Sequence, residues 1–361
     1  MPLQPRREIR KIATCPHGGP NADELRTLSL TPEQVLDFSV CCNPFPPPPG
    51  MREALPDIDI SRYPDSEATE LKEALSKKLG VPPANVLVGN GTTELIRLIA
   101  LAYFEPGDKV LILKPTYGEY EPAARLMGAD VVEQWGKEAD GFQLKTAETA
   151  SLIQHYQPKA VFICNPNNPT GQYFSRREIE TVLAGSKDSL IVLDEAYIAF
   201  VERAWSSLGL IERENVIILR SMTKDYALAG LRLGYAVAHQ KILDNLRRVR
   251  PPWNVNAIAQ KAGVIALSQS NYLKDCQQRV REAKKFLVDE FTRLGFTLVP
   301  SRANFFLMKV GHATRFRTTL LRQGIMVRDC TSFGLPEYVR IGPRTLPECR
   351  QLVSAIRSLR R

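Results

Sequence analysis

The sequence predicts an α/β fold, with a large doubly wound, mostly parallel sheet and a smaller α+β unit. Three observations predict it. Short apolar runs such as Leu190-Ile191-Val192-Leu193 and Val216-Ile217-Ile218-Leu219 recur with helix-patterned stretches between them, the order that builds strand–helix–strand crossovers. Those runs are apolar at every position, as in strands buried on both faces. Each is followed at once by a polar motif, which places polar groups at the sheet edge where open α/β folds bind ligands.

Residues 1–36 read as an arm interrupted by His17-Gly18-Gly19-Pro20. That motif is either a turn or a histidine held at a substrate mouth by a closely approaching backbone. Thr31-Pro32-Glu33-Gln34 reads as a helix start, with Thr31 as N-cap and Gln34 completing a capping box. Leu36–Val40 is a short strand, and Asn43-Pro44-Phe45 with Pro46–Pro49 is an extended crossing between domains. In Arg62-Tyr63-Pro64-Asp65 the proline keeps Tyr63 extended, by default in a surface turn. Residues 67–79 have helical spacing, and Val86–Val88 is a strand. Gly89-Asn90-Gly91-Thr92-Thr93-Glu94 then opens the helix 95–102. A glycine turn before a helix gathers free N–H groups and the positive dipole end, either as an anion site at Gly91, Thr92 and Thr93 or as an ordinary cap.

Strand 109–113 ends in Pro115-Thr116-Tyr117-Gly118-Glu119-Tyr120, helix 121–127 and strand 130–134 follow, and the alternation continues to residue 250. Beyond Pro251-Pro252-Trp253 the pattern gives one long helical region, 257–294. Strands at 297–299, 304–310, 325–328 and 338–341, with helices at 314–323 and 347–359, complete the smaller unit. The expected division is 1–45 as arm and part of the small domain, 46–250 as the large domain, and 251–361 as the small domain.

The chain has 361 residues, 44% of them apolar, enough for a sizeable core. Its net charge is +9, but the basic runs (Arg6-Arg7, Arg247 to Arg250, and Arg357 with Arg360-Arg361) are short and lack aromatic interleaving, so no nucleic acid is expected. Seven cysteines, an odd number without a C-x-x-C pair, fit a reducing cytoplasm. The scattered histidines suggest no metal site. Met1–Lys11 is too polar for a signal peptide, and 95–104 is short and carries Arg97, so no membrane span is expected.

The chemistry concentrates after strands. Lys224, in Ser221-Met222-Thr223-Lys224, can form an imine with a carbonyl cofactor. Ser221, Thr223 and Arg232 offer the donors and the charge that a phosphate dianion needs. Asn165-Pro166-Asn167-Asn168-Pro169-Thr170-Gly171 and Asp194-Glu195-Ala196-Tyr197 precede it, also at strand ends. Arg340, between Val339 and Ile341, can offer a carboxylate a forked donor, and Arg328 is a second anion ligand.

The order Asn168, Asp194, Tyr197, Lys224, Arg232 resembles the fold type I aminotransferases that use pyridoxal 5'-phosphate, in particular their histidinol-phosphate aminotransferase branch. The resemblance runs from about His17 to about Arg344. It implies that Asp194 pairs with the pyridine nitrogen, that Tyr117 stacks on the ring, and that Asn168 and Tyr197 bond its phenolic oxygen. It implies too that Arg340 binds the substrate carboxylate and that Tyr63 reaches the cofactor of a neighbouring subunit, making a homodimer. His17, Gly18, Asn43, Asn168, Arg328 and Arg340 form the expected substrate end. Within the branch, His17-Gly18-Gly19, the segment 252–257 and Leu219-Arg220-Ser221 look most like L-threonine-O-3-phosphate decarboxylase of cobalamin synthesis. Histidinol-phosphate aminotransferase, or another class I/II aminotransferase, is the alternative. Cys41 is a departure, because both families tend to carry asparagine there and cysteine is a weak hydrogen-bonding group.

Overall fold

The computed structural model of the chain describes residues 3–269 and 271–359, so Arg360 and Arg361 of the C-terminal basic run lie outside it. Its strands are β1 (Leu36–Asp37), β2 (Val86–Gly89), β3 (Lys109–Lys114), β4 (Asp130–Trp135), β5 (Ala160–Cys164), β6 (Leu190–Asp194), β7 (Val216–Ser221), β8 (Gly234–Ala238), β9 (Phe306–Lys309), β10 (Ile325–Met326), β11 (Arg328–Asp329) and β12 (Tyr338–Ile341). β2 to β8 form one sheet in the order β2-β8-β7-β6-β5-β3-β4. β8 runs antiparallel to both its neighbours, and the other pairs are parallel. The expected doubly wound, mostly parallel sheet is present.

Both faces of this sheet are covered, which explains the continuous apolar runs. Successive strand residues point to opposite sides. Val161 and Ile163 pack with Ile191, Leu193 and Ile218 on one face, while Ala160 and Phe162 pack with Val192, Ile217 and Leu219 on the other.

The smaller unit is a three-stranded antiparallel sheet, β11-β12-β9, backed by the helices Tyr272–Arg293 and Leu346–Ser358. β1 pairs in parallel with β10, and Phe38 enters this unit's core.

The structure differs from the sequence reading in five places. Pro32–Gln34 forms only one 3-10 turn, although Gln34 does cap Thr31 N at 2.8 Å; the helix lies earlier, at Ala22–Thr27, capped by Asn21. The helical region 257–294 is two helices, Ala257–Ser268 and Tyr272–Arg293. Ala259, Ala262 and Ala266 of the first pack into the large sheet's core with Leu71 and Leu75, so the packing changes after residue 268 rather than at 250. The expected strand 297–299 contributes only a bridge from Leu298 to Met308. The run 325–328 is split: Ile325–Met326 pairs with β1, and Arg328 turns into the sheet with β12. No helix among the described residues is long and apolar enough to cross a membrane.

Candidate active site

All strands of the large sheet except β8 run the same way, so β2, β3, β5, β6 and β7 present their C-terminal ends at one edge. β8 begins at that edge, with Gly234 paired to Gly89 on one side and Ser221 on the other. The polar motifs scattered from residue 90 to residue 232 are therefore brought together by topology. Every residue expected to bind the cofactor, Tyr63 excepted, lines one cavity of about 480 Å³.

At the centre is Lys224, on the single helical turn Met222–Asp225 after β7. Its Nζ lies 3.8 Å from Cys42 Sγ and 5.7 Å from the centre of the Tyr197 ring. Among the described residues it forms no ion pair. Asp194, which ends β6, is 3% exposed. Its Oδ2 accepts from Tyr120 Oη at 2.7 Å and its Oδ1 from Ala196 N at 3.0 Å. Burial pushes its carboxyl up to about 6, against the pull of these two donors. The Tyr117 hydroxyl lies 3.0 Å from Thr93 Oγ1, and burial pushes it up to about 12. Tyr197 is buried edge-on against Phe305, with ring centres 4.9 Å apart.

The opposite end of the cavity is built for an anion. The helix Gly91–Tyr103 starts there, and its first-turn N–H groups have no intrahelical acceptor. Gly91 has φ +76°, and a Cβ on it would lie 3.0 Å from Arg232 Nη2. A Cβ on Gly234 would come within 2.8 Å of Thr92 N. Only glycine lets the β2–helix turn, β8 and the guanidinium come so close. Arg232 itself is left-handed, with φ 57° and ψ 53°, a conformation that a non-glycine residue keeps only where its surroundings hold it. Ser221 Oγ and Thr223 Oγ1 lie 2.6 Å apart beside it. This donor set, a buried carboxylate and a lysine line one cavity, and they are the groups that the phosphate, ring nitrogen and aldehyde of pyridoxal phosphate would each require.

The residues expected at the substrate end draw on the smaller unit. Arg340 on β12 is buried, donating through Nη2 to Ser39 O at 2.7 Å and through Nη1 to Asn168 Oδ1. Its Nε has no partner, and no carboxylate pairs with it among the described residues. Arg328 lies directly across the strand pair from it. Arg328 is already engaged, donating to His17 O at 3.2 Å, Pro16 O at 2.6 Å and Ser332 Oγ at 2.8 Å. His17 Nε2 meets Glu119 Oε1 at 2.9 Å, and Glu119 Oε2 accepts from Arg97 at 3.1 Å. A Cβ on Gly18 would lie 2.9 Å from Ser39 O, so the close backbone approach expected there is present.

Six expected residues are not among those lining the Lys224 cavity: His17, Gly18 and Arg328 line a separate one, Arg340 is tied to the first through Asn168, and Asn43 and Tyr63 line neither. Asn43 lies under the lysine turn: its N donates to Lys224 O at 2.8 Å, its Nδ2 to Asp225 O at 2.9 Å and Tyr272 Oη at 3.1 Å, and its Oδ1 accepts from Phe45 N. These bonds commit its amide to holding the turn rather than facing the cavity. Tyr63 is 78% exposed and stacks on Trp253 at 4.2 Å, away from its own chain's cavity.

Tyr120, Glu119 and Cys42 were assigned no role in the sequence. Tyr120 and Glu119 stand in the same Pro115–Tyr120 motif as Tyr117, but their use depends on burial against Asp194 and on an arm a hundred residues away. Cys15, His17 and Glu119 each bring a potential metal ligand within 4.8 Å of the others, a grouping that the scattered histidines did not suggest. Glu119 is already committed to His17 and Arg97 there.

The model of the family described as aminotransferase class I and II matches residues 33–356. A histidinol-phosphate aminotransferase of Moorella thermoacetica is 37% identical over 364 residues, covering 98% of this chain and 92% of that protein. A histidinol-phosphate aminotransferase of Sinorhizobium meliloti, solved in complex with pyridoxal-5'-phosphate, superposes with a TM-score of 0.87 over 98% of both chains at 24% identity. The L-threonine-O-3-phosphate decarboxylase of Porphyromonas gingivalis superposes with a TM-score of 0.79 at 26% identity, over 89% of this chain and 98% of that one.

Proposed function

Because this chain belongs to the class I and II aminotransferase family and is a pyridoxal-phosphate-dependent enzyme, we propose that it moves an amino group from a small phosphorylated amine, histidinol phosphate first, to a 2-oxo acid. The observation that carries this choice is the likeness to a histidinol-phosphate aminotransferase along nearly the whole chain. The likeness to the decarboxylase is one of structure at lower identity. The order suggested by His17-Gly18-Gly19, with decarboxylation first, is therefore reversed.

When bound, pyridoxal phosphate supplies the aldehyde that takes up the amino group and the ring that accepts electrons from the substrate. The chain's residues do the rest. Thr92, Ser221, Thr223 and Arg232 bind the phosphate, and Tyr117 covers the ring face. Asn168 and Tyr197 orient the ring's oxygen. Asp194 is a carboxylate at neutral pH, since its pKa is about 6, and Tyr120 and Ala196 N–H fix it opposite the ring nitrogen. Lys224 Nζ would hold the cofactor, and its amine could take up and return the substrate's proton.

Arg340 is the receptor for the substrate's anionic group. A buried guanidinium without a carboxylate is costly unless a ligand supplies the charge. Arg328 has three of its five N–H donors on Pro16 O, His17 O and Ser332 Oγ, which leaves two that could join Arg340. A second copy of the chain is expected to receive Tyr63, whose ring cannot serve the cavity of its own subunit from where it stands.

The test uses purified protein in two incubations. Histidinol phosphate with 2-oxoglutarate should give glutamate. Release of CO2 from threonine phosphate without an oxo acid, and no glutamate from the first mixture, would overturn the assignment.

A further inference from the structure

Cys41 and Cys42 lie beside the anchoring lysine, and the two thiols differ. Cys41 is 1% exposed, in an apolar cluster with Tyr197 and Phe305. Cys42 is half-buried and points its Sγ at Lys224 Nζ, 3.8 Å away. The pair is held in place from both sides. Asn43 N bonds Lys224 O at 2.8 Å, Asn43 Nδ2 bonds Asp225 O at 2.9 Å, and Asn304 Nδ2 bonds Cys41 O at 3.0 Å. Three backbone ties within two residues of the sulfur and the nitrogen fix their encounter, so the local concentration of one at the other is high.

An oxidised Cys42 has few other partners. A disulfide to Cys41 is disfavoured, because adjacent Cα atoms are about 3.8 Å apart while disulfides favour about 4.4–6.8 Å. Cys164, the cysteine among the residues lining the cavity, is buried with its thiol turned to Pro166 O. The nucleophile that faces Cys42 Sγ is the lysine amine.

We propose that Cys42 and Lys224 are a modification site: under peroxide they join in a reversible sulfur–nitrogen cross-link that blocks the anchoring amine. In the first step the Cys42 thiolate attacks hydrogen peroxide, giving the sulfenic acid and hydroxide, which becomes water with the proton the thiol had released; the sulfur is oxidised and the peroxide reduced. In the second the neutral Lys224 amine attacks that sulfur, the S–N bond forms, the S–O bond breaks, and hydroxide leaves as water with the proton lost from nitrogen. The chain loses two hydrogens overall, one from sulfur and one from nitrogen. A small-molecule thiol reverses the link by attacking the sulfur, and a second one reduces the mixed disulfide that results. Bound cofactor occupies the same amine, so the loaded protein is protected; this last point, unlike the cross-link, rests on Lys224 being the anchor.

The test treats full-length protein, loaded with pyridoxal phosphate or stripped of it, with hydrogen peroxide, followed by intact and tandem mass spectrometry. The stripped protein should lose the mass of two hydrogens and give a peptide pair joined at Cys42 and Lys224. It should then fail to develop the cofactor's visible absorption until treated with dithiothreitol. The Cys42→Ser variant should form no such pair and take up cofactor after peroxide. Oxygen atoms added to Cys42 with Lys224 free, or a Cys41–Cys42 disulfide, would overturn the proposal. Equal cross-linking in loaded and stripped protein would keep the link but remove Lys224 from its anchoring role.

Discussion

Replacing Asp194 by asparagine should make the cofactor-free protein more stable and the loaded enzyme inactive. Asp194 is buried at the end of β6, and its two hydrogen-bond donors only partly offset the cost of burying a charge. Its carboxyl stands at about 6, against an ordinary value of 3.8. A raised carboxyl pKa means that the fold favours the protonated form. No cost is felt below the unfolded value; it grows as pH rises from about 4 and is complete above about 6, where the fold must hold the carboxylate. At about 1.4 kcal/mol per unit, the full penalty is on the order of 3 kcal/mol. Asparagine does not titrate, so the variant lacks this pH-dependent part.

The assay is urea unfolding of cofactor-free wild type and Asp194→Asn at pH 5 and pH 8. Comparing the two proteins at each pH cancels the other titrating groups and any fixed difference in hydrogen bonding. The variant's advantage should grow by about 1–1.5 kcal/mol between the two, since roughly half the penalty is already present at pH 5. With pyridoxal phosphate added the order should reverse, because the ring nitrogen then pairs with the carboxylate. A stability difference that does not move with pH, or that shrinks toward pH 8, would refute the account of Asp194 as a buried charge held for a cationic partner.

Lys224→Ala should abolish the visible band of the loaded protein and lower kcat by a factor on the order of 10³ or more, the scale lost with an essential nucleophile and base; a retained band would remove the lysine from its role. Gly91→Ala puts a Cβ 3.0 Å from Arg232 Nη2 at a backbone φ of +76°. Left-handed strain of roughly 1–2 kcal/mol should then weaken cofactor binding about tenfold or more in a spectroscopic titration. Arg340→Lys keeps the charge but loses the fork that reaches Ser39 and Asn168. KM for the phosphorylated amine should rise about 10- to 100-fold with cofactor affinity little changed. If Tyr63 serves the neighbouring subunit, mixing inactive Lys224→Ala and Tyr63→Ala chains should restore about a quarter of wild-type activity, one intact site in each mixed dimer; no recovery would confine Tyr63 to its own subunit.

The large sheet was legible because burial on both faces writes a continuous apolar run for each strand, and the cofactor end because its residues lie within a few positions of those strand ends. Gly91, Asn168, Asp194 and Lys224 need only the rule that parallel strands share an edge. What failed has equally local causes. The capping signal at Thr31 and Gln34 was real but had only a single turn to cap. Ala257–Ser268 reads as continuous with the helix after it, since both are helical in pattern. Its alanines face the large sheet because small side chains let it lie close to Leu71, and no periodicity records which neighbour a helix will choose.

The substrate end was harder because tertiary contacts assemble it. Arg328 bonds the carbonyl of His17 across 311 positions of chain, and Arg340 bonds Asn168 across 172. Neither partner can be read from a strand pattern. The two arginines face one another across β11 and β12, yet they are in different states. Arg328 gives two donors to the arm and one to Ser332, whereas Arg340 has a buried Nε with no partner. An unmet donor on a buried cation is unfavourable in the protein alone, which is what supports reading Arg340 as an anion's receptor. Arg328, by its bonds to Pro16 and His17, ties the N-terminal arm to β11, the strand that pairs with Arg340's own.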